Sequence, residues 1–156
     1  MIYAPTLLIA LAIGIIAGLR AMTAPAAVAW GAWLGWFSLG ETPLAFMGSA
    51  WAVGVLSFLA LGELVTDQLP STPSRKVPVQ FGTRILSGAL CGGALGATTG
   101  LLAMGAAAGG LGAVFGTLGG AAARGRLAAS FGEDRPAALI EDAVAILGAL
   151  LIVRLL

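Results

Sequence analysis

Between Arg84 and Arg124 the chain carries no charged residue. A stretch of that length has no means of covering itself in water. The rest of the sequence extends the argument: of 156 residues, 59% are hydrophobic and 10% charged, with a mean hydropathy of +1.01. Water-soluble domains carry about 25% charged residues, so lipid must solvate most of this chain. Eight basic and seven acidic residues leave a formal charge of +1, which excludes the broad basic field that nucleic acid requires. With no histidine and one cysteine, an intrachain disulfide, His/Cys metal sites and Ser/His/Asp triads are excluded as well. Cys91, set in Gly88-Ala-Leu-Cys-Gly-Gly, reads as a small apolar packing residue. The segment Met1-Ile-Tyr-Ala-Pro lacks the basic region of a secretory signal, so the first apolar run is expected to be a retained span.

The expected fold is all-α: a polytopic transmembrane bundle forming a single domain over residues 1–156. Apolar stretches of near-spanning length place about six short spans at residues 5–19, 23–37, 44–65, 85–104, 109–123 and 136–155. The first two are separated only by the break at Arg20. Prolines and hydroxyls mark a polar loop over residues 66–84, and arginines mark a second over 124–135. Both loops are basic and two spans apart, which predicts that both are cytoplasmic in an inner-membrane protein. Arg20 then faces the cytoplasm, while Ser38–Thr42 and both termini face outward. Trp33, Trp36, Phe37, Phe46 and Trp51 gather near that outward connection, where aromatic rings favour the membrane interface.

Gly88, Gly92, Gly96 and Gly100 recur every four residues, followed by Gly112, Gly116 and Gly120. That spacing holds them on one helix face and predicts glycine-zipper packing, in which bare backbones approach closely. The two sets are expected to face each other across a tight hairpin, and the chain to assemble as a homo-oligomer. A faint echo between Gly18-Leu-Arg-Ala-Met-Thr-Ala-Pro-Ala and Gly100-Leu-Leu-Ala-Met-Gly-Ala-Ala-Ala would make the bundle a 3+3 inverted repeat, an architecture of many transporters.

Charges beside apolar spans are costly and are candidate functional groups. Arg20 lies at the first break; Glu63 and Asp67 end the third span, four residues apart on one face; Glu141 and Asp142 lie in the first turns of the last span. Three readings compete for them. Arg20 pairs with carboxylates and only fixes how helix ends meet. Or Glu63, Asp67, Glu141 and Asp142 offer oxygen ligands to a proton or cation. Or Arg20, Arg75, Lys76 and Arg84 bind a phosphate or lipid headgroup, with carboxylates holding Mg²⁺. Thr23 is expected to cap the second span with Pro25 in its first turn, and Asp134 to cap the last. No cofactor is expected beyond a divalent cation or a bound lipid. An enzyme is admissible only as a carboxylate/Mg²⁺ type acting on a lipid, and the reading leans against one.

Gly18-Leu-Arg-Ala-Met-Thr-Ala-Pro-Ala-Ala-Val-Ala-Trp, Gly62-Glu-Leu-Val-Thr-Asp-Gln-Leu-Pro-Ser-Thr-Pro-Ser-Arg and Asp134-Arg-Pro-Ala-Ala-Leu-Ile-Glu-Asp-Ala-Val-Ala-Ile together resemble the bacterial membrane family called domain of unknown function 4126. The resemblance covers nearly the whole chain and implies a small inner-membrane protein, with no activity attached. The expectation is therefore a transporter or channel for an ion or small solute, its binding or ion-coupling site formed by Arg20, Glu63, Asp67, Arg75, Glu141 and Asp142. The alternatives are a membrane enzyme or carrier for a phosphorylated lipid headgroup, and a structural scaffold without transport.

Overall fold

The computed structural model describes residues 3–68, 74 and 76–156. Arg75 and the prolines of the first polar loop, Pro70 and Pro73, lie outside the described residues. Six α-helices account for most of the rest: α1 (Tyr3–Leu19), α2 (Thr23–Trp33), α3 (Ala50–Thr66), α4 (Pro78–Ala97), α5 (Leu102–Phe131) and α6 (Asp134–Arg154), with a 3-10 turn at Ala45–Gly48 before α3. There is no strand among the described residues. By length and composition α5 and α6 are sufficient to cross a membrane, while α1 and α3 are apolar but shorter.

Helix boundaries depart from the sequence expectations for definable reasons. The fourth apolar stretch, read as 85–104, is divided by a turn. Gly100 adopts φ +76°, Leu101 N–H donates to Gly96 O (2.8 Å) and Gly100 N–H to Ala97 O (3.1 Å). This pair of bonds satisfies the last carbonyls of α4 and reverses the chain. The hairpin therefore turns at 98–101, not at residues 105–108. Gly35 ends α2 the same way at φ +74°, which stops the second stretch at Trp33. The second polar loop is largely helical: α5 continues through Arg124 and Arg126 to Phe131, because Ala, Leu and Arg are good helix formers and a charge does not interrupt a helix. The first loop is shortened likewise, with Pro78 opening α4 in its first turn. The third stretch, read as 44–65, starts as a 3-10 turn and becomes α-helical only at Ala50, where the Ser49 hydroxyl accepts from Ala52 N–H (3.1 Å).

α5 is the central helix, packed against α4 on one side and α1 on the other. A Cβ on Gly88 would stand 2.6 Å from Gly109 O, one on Gly96 2.6 Å from Leu101 O, and one on Gly18 2.6 Å from Thr117 N. None of these positions admits a side chain. Gly88, Gly92 and Gly96 meet Gly105 and Gly109; Gly112 and Gly116 lie instead against Leu11 and Ile15 of α1. The expected face-to-face register of the two glycine sets is thus corrected. The early turn slides α5 so that its first glycines meet α4, and the later ones are left for α1. Gly100 serves the turn, and Gly120 is buried further along α5. Gly109 touches Gly14 and Gly88 together, the point where three backbones converge.

The larger apolar side chains fill the space between α1, α2, α4 and α6. Ile13, Ile16, Val28, Leu95 and Val153 form this core together with Cys91, which is a free, fully buried thiol. α3 stands apart: it packs on α2 and the 3-10 turn, with Trp51, Phe58 and Val65 exposed on its outer side.

Candidate functional site

α1 stops at Leu19 and α2 starts at Thr23. A helix broken inside an apolar bundle leaves carbonyls on one side and N–H groups on the other without intrahelical partners, and each buried orphan costs about 1–3 kcal/mol. Charged side chains from other helices serve both ends. On the N–H side, the Glu63 carboxylate of α3 accepts from Ala21 N–H and Met22 N–H, both at 2.8 Å. An anion at a helix N-terminus is favoured by the helix dipole. On the carbonyl side, Arg84 of α4 donates through Nη1 to Gly18 O (3.0 Å) and Leu19 O (2.6 Å). Its Nη2 lies 3.6 Å from Glu63 and 3.8 Å from Asp67. The Ser87 hydroxyl donates to Ala21 O, and the Thr117 hydroxyl lies 2.8 Å from Ala113 O and 3.3 Å from Gly18 O.

The break also corrects the expected cap. Met22 occupies the cap position without a side-chain bond, and Thr23 is the first helical residue. Glu63, from a different helix, meets the Ala21 and Met22 N–H groups that precede α2, while Ala26 N–H bonds to Met22 O (3.1 Å).

Arg20 occupies the gap itself and is fully buried. It pairs with Asp67, the residue following α3, and with Asp142 in the third turn of α6. Gln68 Nε2 donates to Asp142 Oδ2 (3.0 Å). A buried guanidinium is tolerable only when paired, and here two carboxylates flank it. Two arginines and three carboxylates thus join α1, α2, α3, α4 and α6 at one place.

The acids grouped by sequence do not all meet. Glu141 is buried beside Asp142 in sequence, yet it faces a second pair. Arg124 forms a two-pronged bridge to Asp134 (2.9 and 2.5 Å) and approaches Glu141 at 3.4 Å. Neighbouring helical positions diverge by about 100°, so Asp142 turns to Arg20 and Glu141 to α5. Asp134 is the first residue of α6 and not its cap, which is Glu133; its carboxylate serves Arg124. Lys76 is exposed.

Ser87 and Thr117 carry no charge and do not stand out in the sequence, and Arg84, read there as an anion partner at the end of the first polar loop, instead serves the carbonyls of α1. A signal exists for Arg84 and Ser87: positions 84, 87, 88, 91, 92 and 95 are all buried, the stripe a helix presents to a core. Arg84 lies on that stripe with the glycines and Cys91, so its charge must be met inside. Among the described residues no group of three or more acids, cysteines or histidines is placed to hold a metal. The carboxylates are engaged by arginines and backbone N–H groups instead.

Two cavities lie near this arrangement and a third at the opposite end of the bundle. One of about 250 Å³ lies beside Arg124 and Glu141, between α5 and α6. An apolar groove of about 260 Å³ runs between α2, α3 and α6 from Thr23. A larger one of about 570 Å³ is lined by Thr6, Ile9, Trp36, Thr99 and Leu155. That lining comes from the start of α1 and the ends of α4 and α6. Measured along α1 from Thr6 and Ile9, it lies about 17–21 Å from the Arg20 break.

A family model described as Domain of unknown function (DUF4126) matches residues 7–155, the family that the segments around Arg20, Glu63 and Glu141 resemble. No curated protein and no solved structure matches the chain.

Proposed function

Since the chain belongs to this family of unknown function, we propose its role from the geometry of the break: it is a multi-span inner-membrane transporter or channel for an ion or small solute, gated at its charged end. The observation that carries the reading is a discontinuous helix whose two exposed ends are both met by charges delivered from other helices. In secondary transporters, ions and substrates bind at such half-helix ends, and ionisable groups inside a membrane mark conduction or coupling sites. Here Glu63 and Arg84 hold the positions that a carboxylate and a cation would take, so the cluster is a gate closed by the protein's own side chains.

Two further features support this reading. α2, at 11 residues, covers about 17 Å, a half-length element rather than a full crossing. The wide cavity lies at the end away from the closed cluster, so the bundle is sealed at one end and indented at the other. The positive-inside rule puts the sealed end in the cytoplasm. The close glycine contacts found at α1, α4 and α5 lie within one chain, so a homo-oligomer would assemble through other faces.

Reconstituted protein screened for ion and small-solute flux tests the proposal. Neutralising the gate with Asp67→Asn plus Asp142→Asn is expected to change flux at least about tenfold. Flux unaltered by that pair removes the gate, and vesicles inert to every screened ion and solute remove the transport reading.

One observation favours a second reading, a scaffold without transport. Arg20 pairs with carboxylates from the end of α3 and from α6, and Glu63 is engaged by backbone N–H groups and Arg84. Exchanging the charges (Arg20→Asp with Asp142→Arg) separates the two. Recovery of both folding and function favours the scaffold; recovery of folding alone favours the gate.

A further inference from the structure

The charges gathered at the break do not balance. Among the described residues, Glu63, Asp67 and Asp142 meet Arg20 and Arg84 there, three acids against two bases. In apolar surroundings an unmatched charge is costly and is removed by a counter-charge or a proton. The three acids are not equally matched. Asp67 and Asp142 pair directly with Arg20, whereas the guanidinium nearest to Glu63 is that of Arg84, with Nη2 at 3.6 Å. The closer partners of Glu63 are the uncharged Ala21 and Met22 N–H groups. Glu63 is therefore the acid that carries the excess. No further titratable group among the described residues faces it: α2 and the 3-10 turn, on which α3 packs, contain none, and Glu141 of α6 turns to Arg124.

The chemistry of the site selects a proton over a metal ion. A divalent cation takes about six oxygen ligands, and among the described residues no three acids are placed to supply them. Both Glu63 oxygens already accept from N–H groups. A proton needs one oxygen and no room, and it can reach the Glu63 side chain, which is 12% exposed. Protonation turns one carboxyl oxygen into a donor, so one of the Ala21 and Met22 N–H groups loses its acceptor and the attraction to Arg84 ends. These contacts are among the ties that hold the end of α3, a helix that otherwise packs on α2 and the 3-10 turn. Arg20 is fully buried and its Nε has no hydrogen-bond partner, a spare donor that lets Asp67 re-pair as α3 shifts without stranding the buried charge. We propose that Glu63 takes up one proton, and that this proton is the ion that releases α3 from the break and opens the gate. The proposal deepens the gate reading above and rests on it.

Full-length protein in lipid vesicles, compared by infrared spectroscopy between about pH 8 and pH 6, a range in which exposed carboxyls stay ionised, tests it. On acidification the wild type is expected to gain a carboxylic-acid band that Glu63→Gln lacks. Over the same range the Ala21 and Met22 amides of the wild type, with hydrogen exchange corrected for its intrinsic rate, are expected to lose about fivefold of their protection, the effect of one hydrogen bond. In Glu63→Gln that protection is expected to be low at both pH values. The exchange readout on the wild type stands alone should Glu63→Gln fail to fold. Absence of a Glu63-dependent band, or equal protection at both pH values, overturns the proposal. The same loss of protection produced by Na⁺ or Mg²⁺ at fixed pH shows a metal ion in the proton's place and also overturns it. Solute flux that ignores both pH and an imposed pH gradient removes the proton and leaves the transporter. Vesicles inert to every screened ion and solute remove the transport reading, and the band and the exchange then decide the proton site by themselves.

Discussion

The α1/α4/α5 side and the α2/α3/α6 side of this molecule are held together by opposite means. On the first, glycines bring three backbones into direct contact, and specificity comes from the absence of side chains: at Gly109 there is room for a hydrogen and nothing larger. The gain is dispersion and weak Cα–H contact, with no charge involved. On the second, α3 has little packing beyond α2 and is tied to the bundle through Glu63, Asp67 and Gln68, which reach the break and its arginines. A backbone-to-backbone contact tolerates no rearrangement, whereas an ion-paired end can be released by neutralising a few atoms. The glycine side is thus the fixed frame, and the charged side is where movement is expected.

Four substitutions would break or sharpen that contrast. The largest effect is expected from Arg20→Gln, which leaves Asp142 without its cation and Asp67 with only the more distant Arg84, at 3.8 Å. Removing one partner of a buried pair costs about 3–5 kcal/mol, and the partial exposure of both aspartates (15% and 13%) places the loss near the lower end. Denaturant unfolding in micelles measures it. Gly109→Ala is next, at about 2–3 kcal/mol, since its methyl group would overlap the backbone of Gly88 and overpacking is costly; a lowered thermal midpoint in detergent checks this. A loss under 0.5 kcal/mol would mean that α4 and α5 can separate cheaply, and the fixed-frame description would fail.

Glu63→Gln is expected to cost about 1–2 kcal/mol. The amide offers one accepting oxygen where the carboxylate offered two, so one of the Ala21 and Met22 N–H groups loses its partner. Hydrogen exchange at those two amides should accelerate while α5 amides stay protected. The smallest effect has the opposite sign. Gly62 lies in α3 with nothing within 4 Å of an added Cβ, so Gly62→Ala is expected to stabilise by about 0.5–1 kcal/mol. The same substitution at Gly62 and Gly109 therefore moves stability in opposite directions, the sharpest statement of the difference between the two sides.

Much of the site was legible because a charge in an apolar helix has few options. Arg20, Glu63, Asp67 and Asp142 fall together as charges beside apolar spans on one side of the expected topology, and they meet. Glu141 was grouped with them and does not, because adjacency in sequence places two side chains on different helix faces. Thr23 has the residue type of a cap, yet α2 begins at Thr23 itself, and local pattern could not reveal that a carboxylate from forty residues away would meet the Ala21 and Met22 N–H groups before it. The arginines of 124–135 suggested a loop, although nothing in Ala, Arg and Leu stops a helix.

What the sequence by itself determined is the class of solution: a chain so poor in charge and so rich in Ala, Leu and Gly forms apolar helices, and its few charges must be paired. That follows from composition and period, which are local. Which glycine meets which backbone, and which acid meets which arginine, only the tertiary structure decided. A turn at Gly100 set the register of α5, and register, being a property of two helices together, is written in neither.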